Sequence, residues 1–194
     1  MILHALVADA AGAGWAARNG ATVVQLRLKD VTTAERVRVG REVIAAAGDL
    51  ALVVMNDDVA AAIALGCTVH LGQGDEGVAA ARQAGIDFGR SAASVEEARE
   101  AEREGALYVG AGAVWETPSK TDTGPAIGLD GLGDVCRAVR LPVVAIGGVD
   151  STNAAACIAA GAAGVAVIRA VGELPGLRAV LDTALAARAP KGTG

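Results

Sequence analysis

Three polar residues of types that bind anions alternate along one short segment of the chain. In VVQLRLK, Gln25, Arg27 and Lys29 alternate with valine and leucine. Successive side chains of a strand point to opposite faces, so the three polar groups would share one face. Burying a cation is costly unless an anion meets it. The segment therefore predicts either an anion site inside a sheet or the solvated face of an edge strand.

Amides and carboxylates follow the next two predicted strands. They are Asn56, Asp57 and Asp58 after LALVVM, and His70, Gln73 and Asp75 in VHLGQGD. Ordinary explanations exist, because Asn and Asp favour turns and helix N-caps, and a histidine can be a hydrogen-bonded core residue. Two carboxylates near cations are, however, typical of a site for a hard metal ion. This pattern predicts Mg²⁺ bound by Asp57 and Asp75.

Small and hydroxyl-bearing residues follow the later strands. WETPSKTDTG contains Thr117, Ser119 and Lys120, and AIGGVDS contains Gly147 and Gly148. Glycines let backbone N–H groups approach an anion closely, and the positive end of a helix dipole follows them here. This half of the predicted site therefore indicates a phosphate pocket.

Short β-branched runs alternate with alanine-rich segments of helical spacing. The predicted strands are 2–9, 22–29, 50–56, 67–71, 86–91, 106–112, 142–148 and 164–170. The predicted helices lie near 10–19, 32–48, 57–65, 76–84, 94–105, 130–140, 151–161 and 173–188. This alternation is typical of βαβ units and a parallel sheet.

Eight such units favour an α/β fold, a single-domain (β/α)8 TIM barrel that is compact and has short loops. We expect the barrel to span residues 1–188 and residues 189–194 to form a short, disordered C-terminal tail. In such a barrel the loops that follow the strands form the active face. The alternative is a doubly wound open sheet, although DAAGAGWAA lacks the third glycine of a dinucleotide-binding turn.

Composition excludes several classes of function. The net charge of −5 gives no general basic field for nucleic acid or anionic lipid. No apolar run reaches the roughly 18 residues that span a bilayer, and the N-terminus lacks the basic region of a signal peptide. Three cysteines without a CxxC pair are typical of a reducing compartment. We therefore expect a cytoplasmic protein without nucleic-acid or membrane partners.

Five segments occur in a fixed order along the chain: VQLRLKD, NDDVAAAIALGCTVHLGQGD, GRSAAS, YVGAGAVWETPSK, and VVAIGGV with the later GAAGVAVI. In this order they resemble the thiamine phosphate synthase (thiamine-phosphate pyrophosphorylase) family. The resemblance implies a (β/α)8 barrel that joins hydroxymethylpyrimidine diphosphate to thiazole phosphate, with Mg²⁺ as cofactor. The products are thiamine phosphate and pyrophosphate.

The resemblance also implies a role for individual residues. The pyrimidine diphosphate would be held by Gln25, Leu26, Arg27, Leu28, Lys29, Asn56, Ser91 and Lys120. The thiazole phosphate would be surrounded by Thr117, Pro118, Ser119, Gly148, Ile168 and Arg169. Mg²⁺ would be bound by Asp57 and Asp75, and the catalytic residues would be Arg27, Lys29, Ser91 and Lys120.

The implied reaction is dissociative. Diphosphate leaves first, the amino-substituted ring stabilises the pyrimidinylmethyl cation, and the thiazole nitrogen then attacks. Such chemistry needs stabilisation of a departing anion more than acid–base groups. It would also explain why Lys29 and Lys120 are lysines in a chain with 14 arginines and three lysines. A compact ammonium can contact a single diphosphate oxygen as a point charge.

The chain also departs from the family pattern, and other functions stay open. Arg169 stands where the family often has serine, and GAVWET replaces the usual Gly-Pro-Val-Phe-Pro-Thr. A thiazole tautomerase-like paralogue or a non-catalytic binder of thiamine precursors is the alternative. A phosphate-binding isomerase or epimerase would need an acid–base pair, for which His70 and Asp58 are candidates. The oligomeric state is open, with a homo-oligomer among the options.

Overall fold

Eight short parallel strands pair in chain order and close on themselves, with β8 pairing back to β1. The computed structural model describes residues 3–73, 77–117 and 124–188. The strands are β1 Leu3–Val7, β2 Val23–Leu26, β3 Leu52–Asn56, β4 Thr68–Leu71, β5 Phe88–Ala92, β6 Tyr108–Ala111, β7 Val143–Ile146 and β8 Gly164–Val167. This closure confirms the predicted TIM barrel and excludes the doubly wound open sheet.

A helix follows each strand along the described parts of the chain. The helices are α1 Ala10–Arg18, α2 Thr33–Ala47, α3 Val59–Leu65, α4 Val78–Gln83, α5 Val95–Glu104, α6 Gly128–Ala138, α7 Ala154–Ala159 and α8 Leu174–Arg188. Short 3₁₀ segments lie at Gly48–Leu50 and Arg169–Glu173. Among these described helices, none is long and apolar enough to cross a membrane.

Local sequence signals explain where several helices begin and end. The side chains of Asp9, Thr32, Asp58 and Ser94 accept hydrogen bonds from the first turn of α1, α2, α3 and α5. Such N-caps satisfy backbone N–H groups that have no partner within the helix. Gly66 and Gly105 end α3 and α5 in the left-handed conformation that glycine adopts without steric cost.

The main hydrophobic core lies between the strands and the helices that surround them. It contains valine and leucine from the outer faces of the strands, such as Leu26 and Val109, and alanine from the helices. A second, smaller apolar cluster inside the barrel contains Leu6, Tyr108, Val144 and Ala166. These four residues also line the cavity described below.

The structure differs from the sequence prediction at the end of β2. The predicted strand 22–29 ends at Leu26, so Arg27 and Lys29 lie in the loop that follows. β2 pairs with both β1 and β3, which excludes the edge-strand explanation of its polar residues. The expected tail 189–194 lies outside the described residues.

Candidate active site

A cavity of about 170 Å³ opens at the carboxyl ends of the strands. Most of the site residues predicted from the sequence and present in the described parts of the chain line it. They are Gln25, Arg27, Asn56, Asp57, His70, Ser91, Thr117, Gly148, Ile168 and Arg169. Loops that follow β2, β3, β6, β7 and β8 therefore bring the two predicted half-sites together around one cavity.

One wall of the cavity is a chain of amides that ends at a carboxylate. Gln25, which is 4% exposed, donates through Nε2 to Oδ1 of Asn56 at 3.2 Å. Asn56 in turn donates through Nδ2 to the carboxylate of Asp57. Each amide is thereby oriented by its neighbour, and the amides of β2 and β3 hold the Asp57 side chain beside the cavity.

Asp57 adopts an unusual backbone conformation. Its φ of 63° lies in the left-handed region, where Asp is tolerated better than most residues other than glycine. Its backbone N–H donates to the carbonyl of His70 at 2.8 Å, which ties the end of β3 to β4. This conformation turns the chain sharply after β3, between Asn56 on the strand and the N-cap Asp58 of α3.

Not every predicted residue of the segment Gln25 to Lys29 reaches the cavity. Leu26 is fully buried in the core between strands and helices, and Leu28 packs against the same core. Lys29 is exposed and does not line the cavity. Only Gln25 and Arg27 of this segment therefore contact the cavity, because the alternation of side chains does not continue beyond the end of β2.

Two histidines and a tyrosine form the floor of the cavity. The ring of Tyr108 stacks on His70 at a centroid distance of 5.5 Å and meets His4 edge-on at 5.2 Å. The Tyr108 hydroxyl lies 3.0 Å from Nδ1 of His70, and Nε2 of His70 lies 3.1 Å from Oγ of Ser91. A hydrogen-bonded path thus runs from the floor to the wall.

Burial determines the charge of this floor. Burial lowers the pKa of His4 to about 3, and the electrostatic effect of the neighbouring His70 also lowers this pKa. Burial also raises the pKa of Tyr108. At neutral pH the His4 ring is therefore uncharged and the Tyr108 hydroxyl keeps its proton.

Glycines on β5 and β6 make room for the rings of Tyr108 and His70. A Cβ on Gly89, which is the register partner of Tyr108, would collide with the tyrosine ring. A Cβ on Gly110 would lie 3.0 Å from the ring of His70. The rings can occupy the barrel interior because these two positions carry no side chain.

The opposite wall contains the glycines predicted to approach a phosphate. Gly147 and Gly148 have φ values of 96° and 68°, which glycine adopts without strain. A Cβ on Gly147 would lie 2.6 Å from that of Ala113, and one on Gly148 would lie 2.7 Å from Cβ of Trp115. The loop after β7 therefore packs directly against the loop after β6, and both face the cavity.

Charged residues behind the cavity hold its loops in place. Asp58 accepts from the N–H of Ala61 at 2.9 Å and from the Thr33 hydroxyl at 2.8 Å, and it forms a 3.2 Å ion pair with Arg36. Arg36 also donates to the carbonyl of Leu28. Asp58 therefore joins the loops after β2 and β3. Because these structural contacts occupy its carboxylate, Asp58 is a poor candidate for the acid–base pair that an isomerase would need.

A second buried charge anchors the loop after β4. Arg90, 6% exposed, donates to the carbonyl of Gly72 at 2.6 Å, and its Nε lies 3.1 Å from Oε2 of Glu104. Gln73 donates to the backbone carbonyl of Ser91. The start of this loop is thus fixed to β5, next to the hydroxyl of Ser91.

Four predicted site residues lie outside the described residues: Asp75, Pro118, Ser119 and Lys120. Among the residues that are described, no group of three or more His, Cys, Asp or Glu side chains could hold a metal ion. Asp57 supplies one hard carboxylate at the cavity. That donor fits Mg²⁺, which is commonly held by one or two carboxylates together with phosphate oxygens of the substrate.

Sequence reasoning did not identify His4 and Tyr108 as site residues. His4 lies in the otherwise apolar run ILHALV, and Tyr108 is the single tyrosine of the chain. The available signal was a single polar ring in an otherwise apolar strand. The position of the Tyr108 ring, however, depends on Gly89, which lies beside the ring only through the register of the barrel strands.

Comparison with known proteins agrees with this geometry. Residues 8–171 match the model of the family described as thiamine monophosphate synthase. The chain is 43% identical over 189 residues to a thiamine-phosphate synthase of Roseiflexus sp. (strain RS-1), covering 91% of this chain and 80% of that protein. It is also 43% identical over 157 residues to a thiamine-phosphate synthase of Moorella thermoacetica, covering 78% and 75%.

A comparison with solved structures indicates the same family. A thiamine phosphate pyrophosphorylase from Pyrococcus furiosus superimposes with a TM-score of 0.86 at 32% identity, covering 95% of this chain and 96% of that one. A 3-hexulose-6-phosphate synthase with a TM-score of 0.68 and 20% identity shares the fold alone. The chain therefore belongs to the thiamine monophosphate synthase family.

Proposed function

We propose that this barrel joins hydroxymethylpyrimidine diphosphate to thiazole phosphate, giving thiamine phosphate and pyrophosphate with the help of Mg²⁺. The observation that supports the proposal is that described residues of both predicted half-sites line the same cavity. Residues expected to hold the diphosphate and residues expected to hold the thiazole phosphate line it together. Two substrates bound side by side would react as neighbours, which removes much of the entropic cost of their meeting.

The diphosphate would bind along the wall formed by β2, β3 and β5. Arg27 supplies a guanidinium, Asn56 an amide and Ser91 a hydroxyl at the cavity. Lys29 and Lys120 remain predicted contributors; the first lies beyond the end of β2, and the second lies outside the described residues. Mg²⁺, held by Asp57 and Asp75, would neutralise charge on the departing diphosphate.

The thiazole phosphate would bind at the loops that follow β6, β7 and β8. Gly148 offers a backbone that an oxyanion can approach closely, and Arg169 adds a cation that can form two parallel hydrogen bonds to a phosphate. Thr117 and Ile168 complete the described part of this wall. Pro118 and Ser119, which lie outside the described residues, remain predicted neighbours of this phosphate.

The interior of the cavity suits a dissociative reaction. The apolar side chains of Leu6, Val144, Ile146 and Ala166 line its lower part, and the neutral His4 adds no charge at its floor. A carbocation that is stabilised by its own ring needs a site that excludes water and positions the thiazole nitrogen. Few proton transfers are required, which agrees with the structural use of Asp58.

Product formation tests the proposal directly. Purified protein is incubated with both substrates and Mg²⁺, and thiamine phosphate and pyrophosphate are followed by chromatography, with an EDTA control. We expect both products in equal amounts and only with Mg²⁺. Folded protein that binds both substrates without forming product would support a binder instead. Conversion of a thiazole phosphate tautomer without the diphosphate would support a tautomerase.

Three further points remain to be tested. The cytoplasmic location and the absence of nucleic-acid partners are predictions from composition, and the oligomeric state is undecided, with a homo-oligomer as one option. The net charge of −5 supports the second. Sedimentation of the purified chain would decide the third.

A further inference from the structure

We propose that Tyr108 is a positioning residue that acts through His70 to make the Ser91 hydroxyl a hydrogen-bond donor toward the diphosphate. The inference rests on the proposed function for the identity of the anion. The path itself consists of the two contacts described above, Tyr108 hydroxyl to His70 Nδ1 at 3.0 Å and His70 Nε2 to Ser91 Oγ at 3.1 Å. Tyr108 is 2% exposed and lies below the diphosphate wall.

The direction of the first hydrogen bond follows from the burial of Tyr108. A buried hydroxyl proton needs an acceptor, because leaving a polar group unpaired away from water is costly. Among the described residues, Nδ1 of His70 is the acceptor within hydrogen-bonding distance of this hydroxyl. Tyr108 therefore donates, and Nδ1 of His70 accepts with its lone pair.

The second hydrogen bond follows from the first. The proposal requires a neutral His70, whose imidazole carries its proton on one nitrogen only, so that a lone pair at Nδ1 places the proton on Nε2. Nε2–H then donates to Oγ of Ser91. One lone pair of that oxygen is occupied, and the serine proton is free to point into the cavity.

The opposite tautomer would reverse the chemistry of Ser91. With the proton on Nδ1, Nε2 would accept the serine proton, and Ser91 would present only lone pairs to the cavity. Lone pairs repel an anionic diphosphate, whereas a hydroxyl proton stabilises it more strongly as negative charge develops. Tyr108 thus selects the tautomer in which Ser91 assists departure of the leaving group.

The packing around Tyr108 keeps its hydroxyl at this position. The ring is held between His4 and His70, and it fills the space left by Gly89. Phenylalanine keeps the ring and its contacts and removes the hydroxyl alone. Tyr108→Phe is therefore expected to fold like the wild type.

Two readouts test the inference. In Tyr108→Phe we expect kcat to fall about threefold to tenfold with little change in KM for thiazole phosphate, which corresponds to the loss of one neutral hydrogen bond. In the background Ser91→Ala, the further change Tyr108→Phe is expected to have almost no effect. Thr22→Val, which removes a hydroxyl that bonds to Leu3 at the amino end of the barrel, controls for general loss of stability.

Nitrogen-15 spectra of the imidazole report the tautomer without any substrate. We expect the proton of His70 on Nε2 in the wild type, and a partial shift of that proton to Nδ1 in Tyr108→Phe. A proton on Nδ1 in the wild type, unchanged kcat in Tyr108→Phe, or an equal loss in both backgrounds would each overturn the inference.

The same variants separate this inference from the proposed function. If the wild type forms no thiamine phosphate, binding of inorganic pyrophosphate with Mg²⁺ is measured by calorimetry. Weaker binding in Tyr108→Phe, but not in the Ser91→Ala background, would support the path although the synthase proposal had failed. A wild type that neither turns over nor binds pyrophosphate would overturn both.

Discussion

At the scale of single residues, the amide chain from Gln25 through Asn56 to Asp57 is the feature most directly tied to function. It places a carboxylate at the cavity with its orientation set by neighbouring side chains. The same cavity has a neutral floor, because burial keeps His4 uncharged. Among the described residues, the cavity lining contains Arg27, Asp57 and Arg169 at the carboxyl ends of the strands, and the buried His4 adds no charge at its floor.

Replacement of Asp57 by asparagine tests the proposed Mg²⁺ site. The amide that replaces the carboxylate keeps the shape of the side chain, and asparagine tolerates a positive φ, so the melting temperature should change little. We expect Asp57→Asn to lower kcat by about 100-fold or more, as loss of an electrostatic group that acts on a developing charge does. Steady-state kinetics over a range of Mg²⁺ concentrations measures this effect. Normal turnover at low Mg²⁺ would argue against Asp57 as a ligand.

The buried His4 predicts a pH dependence of stability. Its pKa is lowered from an ordinary value of 6.5 to about 3 in the folded protein, so the unfolded chain binds the proton more readily. Stability should be fully present above pH 6.5 and be lost as the pH falls toward 3. Between pH 6.5 and 5 the loss should amount to about 2 kcal/mol.

Urea unfolding of the wild type and of His4→Gln at several pH values measures this contribution. Glutamine does not titrate, so the variant should lack the part of the pH dependence that comes from His4. Parallel curves for the two proteins would contradict the assignment.

At the scale of elements, the loops are held by charges behind the cavity rather than by residues that line it. Asp58 caps α3 and joins the loops after β2 and β3. Burial alone would raise the pKa of Asp58, but hydrogen bonds from Ala61 and Thr33 and the charge of Arg36 lower it overall. The stabilisation is present above the ordinary pKa and is lost as the pH falls through the lowered value.

Asp58→Ala should therefore destabilise the protein by about 2 kcal/mol at neutral pH, which is the upper range for loss of an N-cap. Because the loop that carries Arg27 is loosened, KM for the diphosphate should also rise. The matched control is Glu42→Ala, which removes a surface ion pair with Arg38 and should cost less than about 0.5 kcal/mol. Equal effects in the two variants would contradict the anchoring role of Asp58.

The order of the elements could be predicted from the sequence, because hydrophobic alternation and helix caps are local signals. For example, α5 begins after its N-cap Ser94 and ends at Gly105, as these two residues predict from the sequence. The position of Lys29 could not be predicted in the same way. Alternation along VVQLRLK places it on the polar face, but β2 ends at Leu26 and the side chain is exposed. Strand ends depend on pairing with neighbouring strands, which the sequence does not specify locally.

The candidate site could be predicted only in part from the sequence. Asn56 and Asp57 follow a clear strand signal, and they line the cavity as expected. The stack of His4, Tyr108 and His70 depends on three strands and on glycines across the barrel. Such contacts arise from register and closure, so no local pattern reveals them.

At the scale of the whole molecule, every strand is paired on both sides, and the two half-sites belong to opposite parts of one closed sheet. A ligand bound in the cavity therefore contacts loops that lie far apart in the chain. Binding to the folded state alone stabilises the protein in proportion to the logarithm of ligand concentration.

Pyrophosphate and Mg²⁺ together should therefore raise the melting temperature. At 100 times the dissociation constant the gain is about 2.7 kcal/mol, which corresponds to a shift of about 5–10 °C for a domain of this size. Differential scanning calorimetry with pyrophosphate alone, Mg²⁺ alone and both measures it. An equal shift with pyrophosphate alone would show that the anion binds without the metal ion.

The contact between Gly148 and Trp115 makes the site optically observable. The chain has two tryptophans, and Trp115 lies against the glycine loop that lines the cavity, whereas Trp15 lies on α1, within the outer layer of helices. An anion that settles against Gly148 changes the electric field at one indole and leaves the other unaffected. A change in tryptophan emission on binding at the proposed phosphate pocket is therefore expected to come from Trp115, with Trp15 contributing an unchanged background.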